Sequence, residues 1–126
     1  MGSHTLELPA GLIDAGESAA VAALRELKEE TGFVGVVRSV SPAACMSPGL
    51  TNETTQLVQV DVDLDGPENA TPVQMEEDAG AITVLRVPLA GFRGALEQHA
   101  AAGGSCYAGL WTLAAGLEMG AGVGTA

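Results

Sequence analysis

Gly11 to Phe33 reads G-L-I-D-A-G-E-S-A-A-V-A-A-L-R-E-L-K-E-E-T-G-F, and this stretch decides the fold. Gly11 and Gly16 flank Asp14 in a polar loop, and from Ser18 onward the sequence becomes rich in alanine. Ser18 is a good N-cap, because its hydroxyl accepts from the free amides of a first helical turn, and Gly32 stands where helices end in a left-handed residue. The pattern predicts a helix from Ala19 to Thr31. Ala20, Leu24, Leu27 and Thr31 recur at three- and four-residue steps and are expected to face a core. Opposite them, Glu26, Glu29 and Glu30 fall at i, i+3 and i+4, so three carboxylates share one face within a turn. An isolated face of this kind reads as a solvated acidic surface with Arg25 and Lys28 as ion-pair partners. Hard oxygen donors on a rigid helix beside a glycine loop also suit Mg2+ or Mn2+.

Working outward, Thr5 to Leu8 alternates apolar and polar residues as a short strand that Pro9 closes. Val34 to Val40 is a β-branched strand candidate, and Ser41 to Thr51, with Pro42, Pro48 and Gly49, reads as a loop. Thr54 to Leu64 is expected as a half-buried strand whose alternation is clean at Val58, Val60, Val62 and Leu64. Asp65 to Gly80 is polar and expected as an exposed loop, followed by a strand over Ala81 to Val87. Leu89 to Ala102 and Ser105 to Met119 read as helices divided by Gly103 and Gly104, and the glycine-rich residues 120–126 as a frayed, flexible tail. Met1 to His4 looks like an expression-vector remnant, which leaves residues 5–119 as one domain.

With 126 residues, 47% of them apolar, the chain can bury one core. Sixteen acidic residues against five basic ones give a net charge of -11, a surface that repels phosphate backbones and argues against nucleic-acid binding. The same acidity points toward metal. Cys45 and Cys106 lack C-x-x-C spacing and are expected as buried free thiols in a reducing cytoplasm. No apolar run approaches the roughly 20 residues of a membrane span, and no signal-peptide core follows the first residues.

Gly11 to Phe33 fits Gly-x5-Glu-x7-Arg-Glu-apolar-x-Glu-Glu-x-Gly-apolar at every specified position and so resembles the signature box of the Nudix hydrolases. The resemblance implies a mixed α/β fold, an α/β/α sandwich with a mixed sheet, and a helix that bears the box. It implies Glu26 and Glu30 as the main metal ligands, Glu29 as an assistant or as the holder of Arg25, and Glu17 near the metal cluster. In the similar ADP-sugar pyrophosphatases the carbonyl before the first box glycine also binds metal, and that residue here is Ala10. The reaction implied is hydrolysis of a nucleoside diphosphate linked to another moiety, with Mg2+, or Mn2+ in its place, activating water and offsetting phosphate charge.

Downstream, Pro48 stands 16 residues beyond Gly32, which is similar to the marker proline of Nudix enzymes acting on ADP-ribose. Read alone, Pro48 is a turn residue before Gly49. The surrounding S-P-A-A-C-M-S-P-G-L-T-N-E (Ser41 to Glu53), P-E-N-A-T-P (Pro67 to Pro72) and S-C-Y-A-G-L-W (Ser105 to Trp111) also resemble the ADP-sugar pyrophosphatases. The resemblance thus implies a small-molecule nucleoside diphosphate sugar as partner, with Gly11, Leu12, Pro48, Gly49 and Leu50 as substrate contacts, and leaves a homodimer open.

Two departures stand out. Where the subgroup places a glutamate that positions or deprotonates the attacking water, this chain has Gly80, and Glu76, Glu77 and Asp78 are the nearest carboxylates, with Glu29 as the substitute inside the box. The subgroup also carries, before the box, a β-rich region that forms much of the dimer interface and supplies adenine-stacking aromatics, whereas ten residues precede Gly11 here. Phe33, Phe92, Tyr107 and Trp111 are expected in the core rather than against a base. Two other readings remain beside hydrolysis of an ADP-sugar: a shortened domain that binds metal and diphosphate without efficient turnover, and a hydrolase of another nucleoside diphosphate derivative, such as an oxidised one.

Overall fold

Ser18 takes an extended conformation and its hydroxyl accepts the Val21 amide at 3.2 Å, while Gly32 adopts φ 81° and donates its amide to the Lys28 carbonyl at 2.8 Å. Between these caps, α1 runs over Ala19–Thr31, the span the sequence predicts. The computed structural model describes residues 4–123, and within them the chain forms two units: residues 9–84, and residues 4–8 together with 85–123. The fold is mixed α/β, with the described strands in three two-stranded ribbons.

In the 9–84 unit, β2 (Val36–Val40) pairs antiparallel with β5 (Val58–Asp61), in a register that slips around Arg38 between the Val37 and Ser39 pairs. The expected alternation holds from Val58 to Val62, with Val58, Val60 and Val62 half-buried and Gln59 and Asp61 exposed, but β5 ends at Asp61 and Leu64, expected on the buried face, is exposed. Arg38, at the irregularity, turns its guanidinium onto Asp61 at 2.9 Å. The long strand expected from Thr54 is interrupted, because Ser41 takes up Leu57 with its amide and its hydroxyl and Gln56 with its carbonyl. The Ser41 amide donates to the Leu57 carbonyl, the Leu57 amide donates to Ser41 Oγ, and Gln56 donates to the Ser41 carbonyl. Upstream of that break, β4 (Thr54–Thr55) pairs with β3 (Ala44–Cys45), so part of the stretch expected as loop is a hairpin. Cys45 is exposed on it, contrary to the expected burial, and both cysteines are free.

The remaining loop of this unit is anchored from within. A 3-10 turn over Pro67–Asn69 buries Asn69, whose carboxamide accepts the Val34 amide and donates to the Val34 and Asp63 carbonyls. A short helix, α2 (Glu76–Ala79), follows where exposed loop was expected. Ala81 to Val87 forms no strand among the described residues. An extended β-branched segment becomes a strand only beside a partner edge, and none of the ribbons extends to it.

In the other unit, β1 (Thr5–Leu6) pairs parallel with β6 (Ser105–Cys106), α3 spans Phe92–Ala101 and α4 spans Ala108–Val123. The two helices are shorter at their starts than expected: Gly91, at φ 79°, precedes α3, and Ser105 and Cys106 go into β6. At its far end α4 continues through Gly120 to Val123, beyond the expected fraying point; residues 124–126 and Met1 to Ser3 lie outside the described residues. Leu96, Leu110 and Ala114 are buried together, with Leu6, Phe92, Cys106 and Trp111 packed on them. Phe92 and Trp111 thus pack against the core, as expected, whereas Tyr107 is exposed, contrary to expectation, and Cys106 is only half-buried. No helix among the described residues is long and apolar enough to cross a membrane.

Candidate active site

The box lies wholly in the 9–84 unit, and Arg25 is its centre. Its Nε and Nη2 reach the two oxygens of Glu17 at 2.8 Å each, a bidentate fork, and Nη1 reaches Glu26 at 2.9 Å and Glu29 at 3.3 Å. Nη2 also donates to the Leu12 carbonyl at 3.0 Å and lies 3.4 Å from Asp14. A planar guanidinium presents its donors in one fixed fork, which is why a single side chain can gather groups from both the loop and the helix. The helix carries Arg25, Glu26 and Glu29 on one stripe with Ala22, the buried residue of α1. Ala20, Leu24, Leu27 and Thr31, expected to face a core, are half-buried on the opposite side.

The loop from Ala10 to Glu17 is folded to suit this arrangement. A turn closes when the Glu17 amide donates to the Asp14 carbonyl at 3.0 Å, with Gly16 at φ 81°, and the Asp14 amide in turn donates to Glu17 Oε1 at 2.9 Å. Glu17 therefore accepts from Arg25 and from a backbone amide together. Those contacts, the Arg25 fork first and the Asp14 amide next, hold its carboxyl at about 2, well below the usual carboxylate range. The same pairing raises the Arg25 guanidinium, through Glu17 first and Glu26 second. Gly11 packs so closely that a Cβ there would overlap the Glu26 carboxylate, and the Ala10 amide donates to Glu30 Oε2 at 3.2 Å.

Of the residues singled out in the sequence, Ala10, Gly11, Leu12, Glu17, Arg25, Glu26, Glu29 and Glu30 are brought together. Leu12 enters through its carbonyl, its side chain being exposed. Pro48, Gly49 and Leu50 form the exposed tip of the β3–β4 hairpin, closed by the Leu50 and Thr51 amides on the Ser47 carbonyl, and take no part in the Arg25 network. Glu76 and Glu77 are exposed on α2 and also stand outside that network. Their backbone is nonetheless tied to the box helix, since the Met75 amide donates to the Glu29 carbonyl at 2.8 Å. Among the described residues no three acidic, histidine or cysteine side chains converge as a metal-holding group.

Three residues of the site region were missed. Asp14 acts through its carboxylate on Arg25 and its backbone on Glu17, and Asn69 and Gln74 act through backbone partners, none of which spacing reveals. Asp14, beside a turn glycine, and Asn69, inside a proline-bracketed loop, carry a weak signal for local capping; Gln74 carries none.

The NUDIX domain matches residues 2–101, which is most of the chain, and covers the whole Arg25 network. The chain belongs to the Nudix family. Within that family it is 49% identical over 88 residues to an ADP-sugar pyrophosphatase of Mus musculus, covering 70% of this chain and 40% of that protein. It is 52% identical over 84 residues to an ADP-ribose pyrophosphatase of Saccharomyces cerevisiae, covering 67% of this chain and 36% of that protein. It is 37% identical over 120 residues to an uncharacterized Nudix hydrolase of Schizosaccharomyces pombe, 95% of this chain and 58% of that one. The Nudix chain described here thus spans less than two thirds of the length of these relatives.

Proposed function

We propose that the chain hydrolyses the diphosphate linkage of ADP-ribose or a related ADP-sugar, giving AMP and a sugar phosphate, with Mg2+ as its cation. The observation that carries this reading is the seating of the box: Arg25 draws the glycine loop and the acidic face of α1 together, with Glu30 against the Ala10 peptide. The names of the mouse and yeast relatives support the substrate class.

The donor set fits a hard divalent cation in kind, since Glu26, Glu29 and Glu30 are carboxylates on one face and Gly11 leaves the Glu26 carboxylate the room a side chain would take. Glu26 and Glu30, with the Ala10 carbonyl, would hold it, and Glu17, engaged on both oxygens by Arg25, would stand behind them. When bound, the cation polarises a phosphoryl oxygen and makes a water more acidic. Arg25 keeps Glu26 and Glu29 oriented, and a carboxylate within reach of the water accepts its proton. Glu77 or Glu76, on the turn that Met75 ties to the Glu29 carbonyl, is one candidate, and Glu29 the substitute. Pro48, Gly49 and Leu50 form a hairpin tip for substrate contact, and a chain of net charge -11 needs the cation before a diphosphate can approach.

Binding without turnover is the second reading, favoured by the closure of Glu17, Glu26 and Glu29 onto Arg25. A panel of ADP-ribose, other ADP-sugars and oxidised nucleoside diphosphates, each with and without Mg2+, separates these readings. AMP formed from ADP-ribose only with Mg2+ is the expected result. Ligand binding with no product across the panel would overturn hydrolysis, and faster turnover of an oxidised nucleotide would overturn the substrate class.

A further inference from the structure

We infer that Gln74 is a positioning residue for the reaction: its carboxamide pins the acidic helix α2 to the end of the box helix and so sets where the water-activating carboxylate stands. The inference rests on the proposed function and deepens it. A helix leaves its last carbonyls without partners inside the helix. At the end of α1, Gly32 takes the Lys28 carbonyl, the Met75 amide takes that of Glu29 at 2.8 Å, and Gln74 Nε2 takes that of Glu30 at 2.7 Å. The peptides being held are those of two box glutamates, and the residues holding them immediately precede Glu76 and Glu77.

Gln74 Nε2 makes a second bond, to the Ile82 carbonyl at 3.0 Å. Residues 74 and 82 bracket α2, so one carboxamide closes the acidic turn on itself and fastens it to Glu30, using both of its N–H groups. The segment leading to it is fixed as well. Asn69 is buried on the Val34 and Asp63 backbone, and Val73 passes so near Gly32 that a Cβ there would overlap the Val73 amide nitrogen. With the approach held at Asn69 and Gly32, Gln74 is the side chain that sets the final placement. A leucine of similar bulk would remove both donors and leave two carbonyls to find water.

A carboxylate displaced by about 1 Å from its water loses rate rather than substrate affinity, because the displaced contact is made in the transition state. The experiment is steady-state hydrolysis of ADP-ribose with Mg2+ by the full chain, comparing wild type, Gln74→Leu and Gln74→Lys, with Mn2+ binding measured in parallel by electron paramagnetic resonance. Gln74→Leu is expected to lower kcat about tenfold at unchanged KM and unchanged Mn2+ affinity, and Gln74→Lys, which keeps donors at that reach, to recover part of kcat. Should Gln74→Leu fail to fold, Gln74→Asn, which keeps the carboxamide but shortens its reach, is expected to show the same loss. An active wild type whose folded Gln74 variants keep full kcat, or lose KM alone, overturns the inference while the proposed function stands. A wild type that binds Mn2+ but forms no AMP overturns the proposed function, and this inference with it.

Discussion

Arg25 carries one positive charge among Asp14, Glu17, Glu26 and Glu29, and Glu17 takes the largest part of it by using both oxygens. Because the folded state lowers this carboxyl from 4.5 to about 2, the folded protein binds fewer protons than the unfolded chain between those values, and stability rises with pH across that window. The contribution is complete above pH 4.5 and is lost as pH falls toward 2. Urea unfolding of wild type and Glu17→Gln should therefore diverge at pH 6 and converge as acid protonates Glu17; a gap that widens in acid would contradict the pairing. Arg25→Lys tests the fork itself, since an ammonium cannot bridge both Glu17 oxygens and reach Glu26 and Glu29 together. That variant is expected to be less stable at neutral pH and to raise the Glu17 carboxyl toward its ordinary range, read by side-chain NMR titration. Apart from Asp14, the residues of this network were legible because they lie within one loop and one helix, where a spacing of three or four fixes who shares a face. Gln74 and Asn69 were not, because their partners are backbone groups of distant segments and no spacing announces them.

At the scale of the element, α1 was read to its ends because each end has a local cause. Ser18→Ala removes the hydroxyl that accepts the Val21 amide and should cost about 1 kcal/mol in chemical denaturation. Gly32→Ala should cost more, since a left-handed residue with a side chain loses about 1–2 kcal/mol and its Cβ would also strike the Val73 backbone. If the two variants proved equally mild, the close passage of Val73 over Gly32 would be refuted. The β3–β4 hairpin and the segment from Ala81 to Val87 went the other way. Ala44 and Cys45 gained a partner in Thr54 and Thr55, while Ala81 to Val87, richer in strand-forming residues, gained none. Strand formation is decided by the neighbouring edge, which propensity does not contain.

At the scale of the whole molecule, the apolar core and the chemistry lie in different parts of the chain. Leu96 is fully buried with Leu110 and Ala114 in the unit of residues 4–8 and 85–123, whereas every residue of the Arg25 network belongs to the 9–84 unit. Leu96→Ala should cost about 2–5 kcal/mol by denaturant unfolding, the range for truncating a buried leucine. The mixed α/β class and the family were legible from one 23-residue stretch because its glycines, caps and charges each answer a local demand. The pairing of β1 with β6, which joins Thr5–Leu6 to Ser105–Cys106 across nearly the whole chain, was not. The central claim is that the carboxylates of α1 carry a metal-dependent hydrolysis. Its most direct test is the rate of AMP release from ADP-ribose with and without Mg2+ for wild type and Glu30→Gln. Mg2+-dependent release that falls about a hundredfold or more in Glu30→Gln is the expected result, and equal release by the two proteins, or none from wild type, would contradict it.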